Sequence, residues 1–432
     1  MQTPNNDNSP KKESGSKHAS DAAGAREQSS EIVGARMPAM QREKRDYDYE
    51  KTLDGHIAAV RAVAVLADGR IVTGGNDTTL LVWSAATKEE YAAARAEIRA
   101  QYARMASSST DLSFGIHAES QNSLLRQRMI HAALRGHTQP ITCVANIRDG
   151  RIVSGSADGT LRVWTERKGD SEWISDALRA HAGPITSVKV TEEPHIISGS
   201  SDGTVRIWSE QARGRWQCET LLGHTGGVES IDRFPNGDIL SGGADGTVRI
   251  WHRLPSGWQN AVTVNGYDPI RAVTVLGNDE FVSVGAQAVS TFRRNPETQM
   301  WSWHMLEGPK QPQVLPNGDL VGFTQEPGIG VWRCNEQGAW ERIAFRKDWR
   351  DMIQVTVLTC GGILMRTGWM DEGRWKRDIE VFRLDEDDNL CFEVRFTSKG
   401  ARGEVGDIPF PDGRFGILHD DGGVEVYRGT LV

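Results

Sequence analysis

The chain has 432 residues, a formal net charge of −8, 38% hydrophobic and 7% aromatic residues. That is room for one large repeat domain or two to three ordinary ones, with enough apolar content for a core. The acidic balance argues against a chain-wide electrostatic footprint for DNA or RNA, and no stretch approaches the ~18 apolar residues of a membrane span.

Residues 1–46 are rich in Ser, Asn, Ala, Lys and Glu, with few large apolar side chains. Such a segment buries too little surface to offset its ordering entropy, so a disordered polar tail is expected. It lacks the apolar core of a secretory signal peptide. Its Ser-rich character is also that of the export signals of bacterial effectors.

From residue 47 a repeat begins. Four segments align without gaps: GHIAAVRAVAVLADGRIVTGGNDTTLLVW (55–83), GHTQPITCVANIRDGRIVSGSADGTLRVW (136–164), AHAGPITSVKVTEEPHIISGSSDGTVRIW (180–208) and GHTGGVESIDRFPNGDILSGGADGTVRIW (223–251). Each places a His, then Ser or Thr 17 residues on, Asp 4 further and Trp 6 further. The sets are His56, Thr73, Asp77 and Trp83; His137, Ser154, Asp158 and Trp164; His181, Ser198, Asp202 and Trp208; His224, Ser241, Asp245 and Trp251. Alternating apolar runs between Gly, Asp and Asn turns read as strands.

Beyond Trp251 the sets decay while the period persists. Strand-ending aromatics fall at Phe292, Trp332, Phe382 and Tyr427, at intervals of 41, 40, 50 and 45 residues. Counting them gives eight units, with seven as the alternative. The interval from Trp83 to Trp164 is 81 residues, about twice the period, and contains the Ala-rich KEEYAAARAEIRAQYARM. A helical insertion at about 86–128 is expected there. In the seventh unit, MRTGWMDEGRWKRDIEVF (365–382) reads as a long connection between second and third strands.

The four sets and their period resemble the WD-repeat family, although the terminal Trp-Asp pair is replaced at Ser84, Thr165, Ser209 and His252. The resemblance implies an all-β propeller over 47–432, closed by pairing YEKTL (49–53) with the last unit. It also implies that each set is a buried hydrogen-bond strut and not a hydrolytic triad, which explains why it recurs. The resemblance puts Arg61, Thr142, Thr186, Glu229, Arg271, Asn76, Ala157, Ser201 and Ala244 on the top face.

No phosphate loop, metal-binding spacing or catalytic constellation is found, so neither enzyme activity, cofactor nor metal is expected. The cysteines Cys143, Cys218, Cys334, Cys360 and Cys391 are scattered without a Cys-x-x-Cys pair, which fits small buried hydrophobes in a reducing compartment. The expectation is a cytoplasmic scaffold or adaptor, monomeric within a larger complex. An exported effector acting in a host cytoplasm is the alternative.

Two basic-aromatic segments of the seventh unit are the candidate protein-binding surface. Arg346, Lys347, Trp349 and Arg350 precede its first strand, and Trp369, Arg374, Trp375, Lys376 and Arg377 lie in its long connection. Trp and Arg dominate binding hot spots, and Arg pairs with acidic or phosphorylated partners. The other expectation for these tryptophans is that they pack onto the blade in place of the lost strut. Two further classes compete. A quinone-dependent propeller dehydrogenase needs a calcium or quinone site in the channel, and nucleic-acid binding would rest on the seventh-unit patch alone.

Overall fold

The computed structural model describes 47–432 except 54, 85–92, 94–95, 98–99, 101–129, 168–171, 192–194, 213, 267, 286–287, 307–309, 325, 336–338, 349–350, 359–360, 372–373, 398–403, 410–413, 420–422 and 430–432. The polar tail expected over 1–46 lies outside the described residues. So does most of the helical insertion expected at about 86–128. Within it Ala93, Ala96, Glu97 and Ala100 are exposed with helical backbone, and no helix stands among the described elements.

The described strands form eight four-stranded antiparallel sheets. Seven are built from consecutive strands, and the eighth joins the last three strands of the chain to the first. We number the sheets as blades in chain order, so that blade one begins at Val60–Val65 and blade eight at Glu404–Pro409.

Each blade follows from a short pattern of residue types. The second strands of blades one, two and four, Ile71–Gly75, Ile152–Ser156 and Ile239–Gly243, are buried at every position. Side chains alternate across a strand, so both faces of these sheets are covered. Beta-branched Ile and Val suit that environment. Small residues are required where the next blade comes close: a Cβ on Gly242 would lie 2.5 Å from the Ile270 methyl of blade five. In the turn between first and second strands, Gly150 adopts φ +89° with nothing near a would-be Cβ. Here the backbone conformation alone requires glycine.

The core is divided between the blades. Leu66, Val72 and Leu80 of blade one pack with Ile141, Ile152 and Trp164 of blade two. Comparable clusters join blades two to three, three to four, four to five, five to six, six to seven and seven to eight. An eighth unites Val60, Ile71, Leu81 and Trp83 of blade one with Leu53, Leu418, Val424 and Val426 of blade eight. Every interface around the circle is thereby occupied, and the ring is closed.

The closing strand is Tyr47–Leu53, longer at its start than the 49–53 expected, paired from Tyr47↔Gly429 to Leu53↔Val424. It covers the edge that Val424–Gly429 would otherwise present. Leu53 is fully buried at the end of this strap. Leu53→Ala should therefore destabilise the protein by about 2–5 kcal/mol, read as a lowered urea unfolding midpoint.

Candidate functional site

In blade two, the Trp164 indole N–H donates to Ser154 Oγ at 2.8 Å, and that hydroxyl lies 2.8 Å from His137 Nε2. His137 Nδ1 stands 3.1 Å from Asp158 Oδ2. An indole nitrogen can only donate, so the serine hydroxyl accepts from it and passes its own proton to Nε2. This orders the imidazole as the neutral tautomer with its N–H on Nδ1, donated to the aspartate. The same chain of contacts runs through His56, Thr73, Asp77 and Trp83, through His181, Ser198, Asp202 and Trp208, and through His224, Ser241, Asp245 and Trp251.

A further member was missed in the sequence reading. Thr79, Thr160, Thr204 and Thr247, each two residues after the aspartate, donate their hydroxyls to it at 2.7–2.8 Å. The recurring Asp-x-Thr spacing was the available signal. The backbone N–H after each histidine also reaches the carboxylate, from Ile57, Thr138, Ala182 and Thr225.

Burial pushes the aspartates upward, yet these donors outweigh it. Asp77, Asp158 and Asp202 are held well below the usual carboxylate range, and Asp245 is lowered to about 2. Burial lowers His137, His181 and His224 despite the neighbouring carboxylates. The central hydroxyls Thr73, Ser154, Ser198 and Ser241 are fully buried, with no room for a substrate carbonyl. These are struts. They hold first, second and third strands together.

The first strands carry a recurring irregularity. Register shifts fall between Val60 and Ala62, Ile141 and Cys143, Ile185 and Ser187, Val228 and Ser230, and Ile270 and Ala272. The residues left out of the ladder are Arg61, Thr142, Thr186, Glu229 and Arg271. A bulge re-aims the extra side chain at the rim of a sheet. Arg61, Glu229 and Arg271 are exposed, and Arg61 Nε donates to Asn76 Oδ1 at 3.1 Å. Thr186 instead staples two blades, donating to the Val228 carbonyl at 2.6 Å. Ser201 and Ala244 are exposed and Ala157 half-buried, so they offer little anchoring area.

Much of both basic-aromatic segments assigned to blade seven is strand where the sequence reads as connection. Arg346 and Lys347 are not in a loop but end the fourth strand of blade six, Trp340–Lys347. Arg346 lies over the Phe382 ring at 4.8 Å and Phe392 at 6.0 Å, part of the wall between blades six and seven. Lys347 is exposed. Trp349 and Arg350 lie outside the described residues.

The long connection is instead a hairpin. The second strand runs Ile363–Asp371 and the third Arg374–Leu384, with register Gly368↔Arg377, Trp369↔Lys376, Met370↔Trp375 and Asp371↔Arg374. Residues read as loop continue the ladder because hydrogen-bonded pairing satisfies their backbone without any partner sheet. Among the described residues the pairing with the flanking strands reaches Asp351↔Gly368 on one side and Asp378↔Thr397 on the other. Residues 369–371 and 374–376 thus continue the central ribbon past the last described flanking pairs, over about 10 Å at ~3.3 Å per residue. The side chains of Trp369, Arg374, Trp375, Lys376 and Arg377 lie outside the described residues.

Blade seven also buries charge. Arg366 takes the place that Gly242 holds in blade four and gives Nη2 to Gln354 Oε1 at 2.6 Å. Asp378 and Glu380 are buried as well, and Arg395 donates to Glu380 Oε1 through Nε at 2.7 Å. Among the described residues, no group of three His, Cys, Asp or Glu is placed to hold a metal ion. No helix among them is long and apolar enough to cross a membrane. Cys143, Cys218 and Cys334 are free thiols, Cys391 Sγ donates to Asp385 Oδ2 at 3.3 Å, and burial raises the Cys143 thiol to about 11.

The family described as WD domain, G-beta repeat matches residues 48–84, 128–165, 174–209 and 216–252. The chain belongs to the WD40-repeat β-propeller family. It is 31% identical over 116 residues to the ribosome biogenesis protein YTM1 of Vanderwaltozyma polyspora, covering 27% of this chain and 20% of that protein. It is 29% identical over 120 residues to YTM1 of Yarrowia lipolytica, covering 26% and 22%. The chain thus spans about a fifth of the length of the curated relatives it matches. The WD40 β-propeller domain of Doa1 superposes with a TM-score of 0.49 at 16% identity, over 89% of this chain and 97% of that one.

The four matched WD40 repeats are those with complete struts. In blades five, seven and eight aromatic packing takes their place. Phe281 stacks on Phe292 at 4.5 Å, Phe415 on Tyr427 at 5.3 Å, and Phe382 meets Phe392 edge-on at 5.9 Å. Losing one member of a strut would strand the others, so the set is kept or exchanged whole.

Two outcomes follow for this WD40 propeller. Ser154→Ala removes the shared hydroxyl from both Trp164 and His137, and should cost about 1–3 kcal/mol, seen as a lower urea midpoint. Stability should also fall with acid. An imidazole lowered by folding binds its proton more readily in the unfolded chain, so its contribution is present above about pH 6.5 and is lost below it. A lowered carboxylate contributes above about pH 3.9 and loses that contribution as pH falls further. Urea midpoints should decline between pH 7.5 and pH 5.5 (roughly the imidazole range) and again below about pH 4.

Proposed function

We propose that this protein is a non-catalytic scaffold that binds a peptide or protein partner on the top face of the propeller, centred on blade seven. The observation that carries the proposal is the central hairpin, whose pairing from Trp369↔Lys376 to Asp371↔Arg374 continues past the last described pairs with both flanking strands. An isolated two-stranded ribbon is marginally stable by itself. Its sequence places Trp369, Arg374, Trp375, Lys376 and Arg377 within nine residues, a composition suited to an acidic or phosphorylated partner.

The connection carrying Trp349 and Arg350 leads into the first strand of the same blade. In an antiparallel four-stranded blade, it leaves at the same end as the second-to-third hairpin, which supports one combined surface. Blades one to four present mainly small or internally bonded residues there, in keeping with a frame. The relatives named for ribosome biogenesis support a role within a larger assembly, with this chain as a monomer in it. Their similarity covers about a quarter of this chain and a fifth of theirs, so their pathway is not carried over. A cytoplasmic location belongs to the same reading.

Affinity capture with wild type and a Trp349/Trp369/Trp375→Ala variant tests the proposal. The expected result is loss of the wild-type partners by a variant whose thermal midpoint is unchanged. Equal retention by both proteins would remove blade seven as the binding surface.

A further inference from the structure

Three pairs of neighbouring blades, one and two, two and three, and six and seven, are tied at the opposite end by a charge clamp. Arg70, in the turn before the second strand of blade one, donates both Nη atoms to the Glu166 carboxylate of blade two at 3.1 and 2.7 Å. Arg151 of blade two does the same to Glu210 of blade three at 3.0 and 2.7 Å. Arg333 joins Asp319 of blade six to Asp388 of blade seven. In the first two clamps the acid stands two residues beyond the strand-ending tryptophan.

Between blades four and five the same two positions carry inverted charges and the clamp is not made. Asp238 occupies the place of Arg151, and Arg294, two residues beyond Phe292, occupies the place of Glu210. Asp238 is held within its own blade. Its Oδ1 accepts from His252 Nδ1 at 2.6 Å and its Oδ2 from Asn236 Nδ2 at 3.1 Å. Arg294 Nε is buried without a hydrogen-bond partner, and among the described residues nothing takes its guanidinium. Arg162, Arg206 and Arg249 also bury Nε, but each gives Nη1 to a hydroxyl on the neighbouring strand.

A cavity of about 240 Å³ opens where the clamp would lie, lined by Phe234, Asn236, Asp238, His252, Arg294 and Trp301 among others. Its aromatic wall is braced from behind. Trp301 lies 5.1 Å from Phe281 and 6.1 Å from Phe234, ring centre to ring centre.

We propose that this cavity binds a carboxylate attached to an apolar body, with Arg294 as its counter-ion and Trp301 as its wall. A guanidinium recognises a carboxylate through two parallel hydrogen bonds. One arginine opposite Asp238 matches a single negative charge better than a phosphate dianion. The volume is below the roughly 300–1,000 Å³ of cofactor and drug-sized sites, so the occupant is small. A free organic acid and an acidic side chain of a partner peptide present the same chemistry. The site lies at the end of the blades away from the 369–377 ribbon and does not depend on it.

Isothermal titration of the full chain with 3-phenylpropionate, with 3-phenylpropanamide and with an amidated Gly-Glu-Phe-Gly peptide tests this. The acid should bind saturably and the amide should not. Arg294→Gln should weaken the acid about tenfold or more, and Arg294→Lys less. Stronger binding of the peptide than of the free acid would assign the site to a protein partner, and the reverse to a small acid. Equal binding of acid and amide, no binding of either, or wild-type affinity in Arg294→Gln would overturn the proposal. So would a marked fall in the thermal midpoint of Arg294→Gln, because Arg294 would then be pairing with Asp238 as a clamp.

Discussion

Every blade of this molecule has two apolar faces and must bury both. A sheet such as Ile239–Gly243 with its neighbours, buried at every position of the second strand, is covered only between two others. The rule admits no terminal blade, so the row of sheets has to close. Closure explains why the strand at Tyr47–Leu53 pairs with strands from the far end of the chain. It also explains why a hydrophobic cluster sits at each junction instead of one core at the centre.

Within that ring, two ways of locking a blade coexist. Blades one to four use a buried relay from tryptophan through hydroxyl and imidazole to carboxylate. A relay of this kind holds strands at fixed spacing and orients a neutral histidine, at the cost of burying several polar groups. Blades five, seven and eight use ring-on-ring contacts that need no matching donors. Freed from the relay, blade seven can place Arg366, Asp378 and Glu380 inside and extend its central hairpin outward. Buried charges are tolerated there through partners such as Arg395 and Gln354, since removing one partner from such a set is strongly destabilising.

The places where repetition fails are on opposite ends of the ring. At one end, the central hairpin of blade seven continues its pairing past the last described pairs with its neighbours. At the other, the missing clamp between blades four and five leaves the Arg294 guanidinium without a partner among the described residues, beside an aromatic wall. Both depend on a regular frame, because a lapse in a repeated contact is visible only against blades that make it.

The strand pattern, the period and the four polar sets were legible in the sequence, because a strut needs its residue types at spacings that a short antiparallel hairpin dictates. Thr160 and its counterparts were equally regular and were overlooked beside the more distinctive histidines. The ribbon of blade seven was misread as a loop, since Gly, Asp and Glu at 368–373 carry turn character even when the flanking residues pair. Arg346 was assigned to the connection entering blade seven, yet it belongs to a strand of blade six and packs on Phe382 of the next blade. The sequence by itself determined what each repeat builds, because hydrogen bonds and alternation within a blade span few residues. Only the tertiary structure decided what passes between blades, such as the Arg151–Glu210 clamp and its absence at Arg294. Those partners lie some sixty residues apart and meet only once two separate sheets have packed face to face.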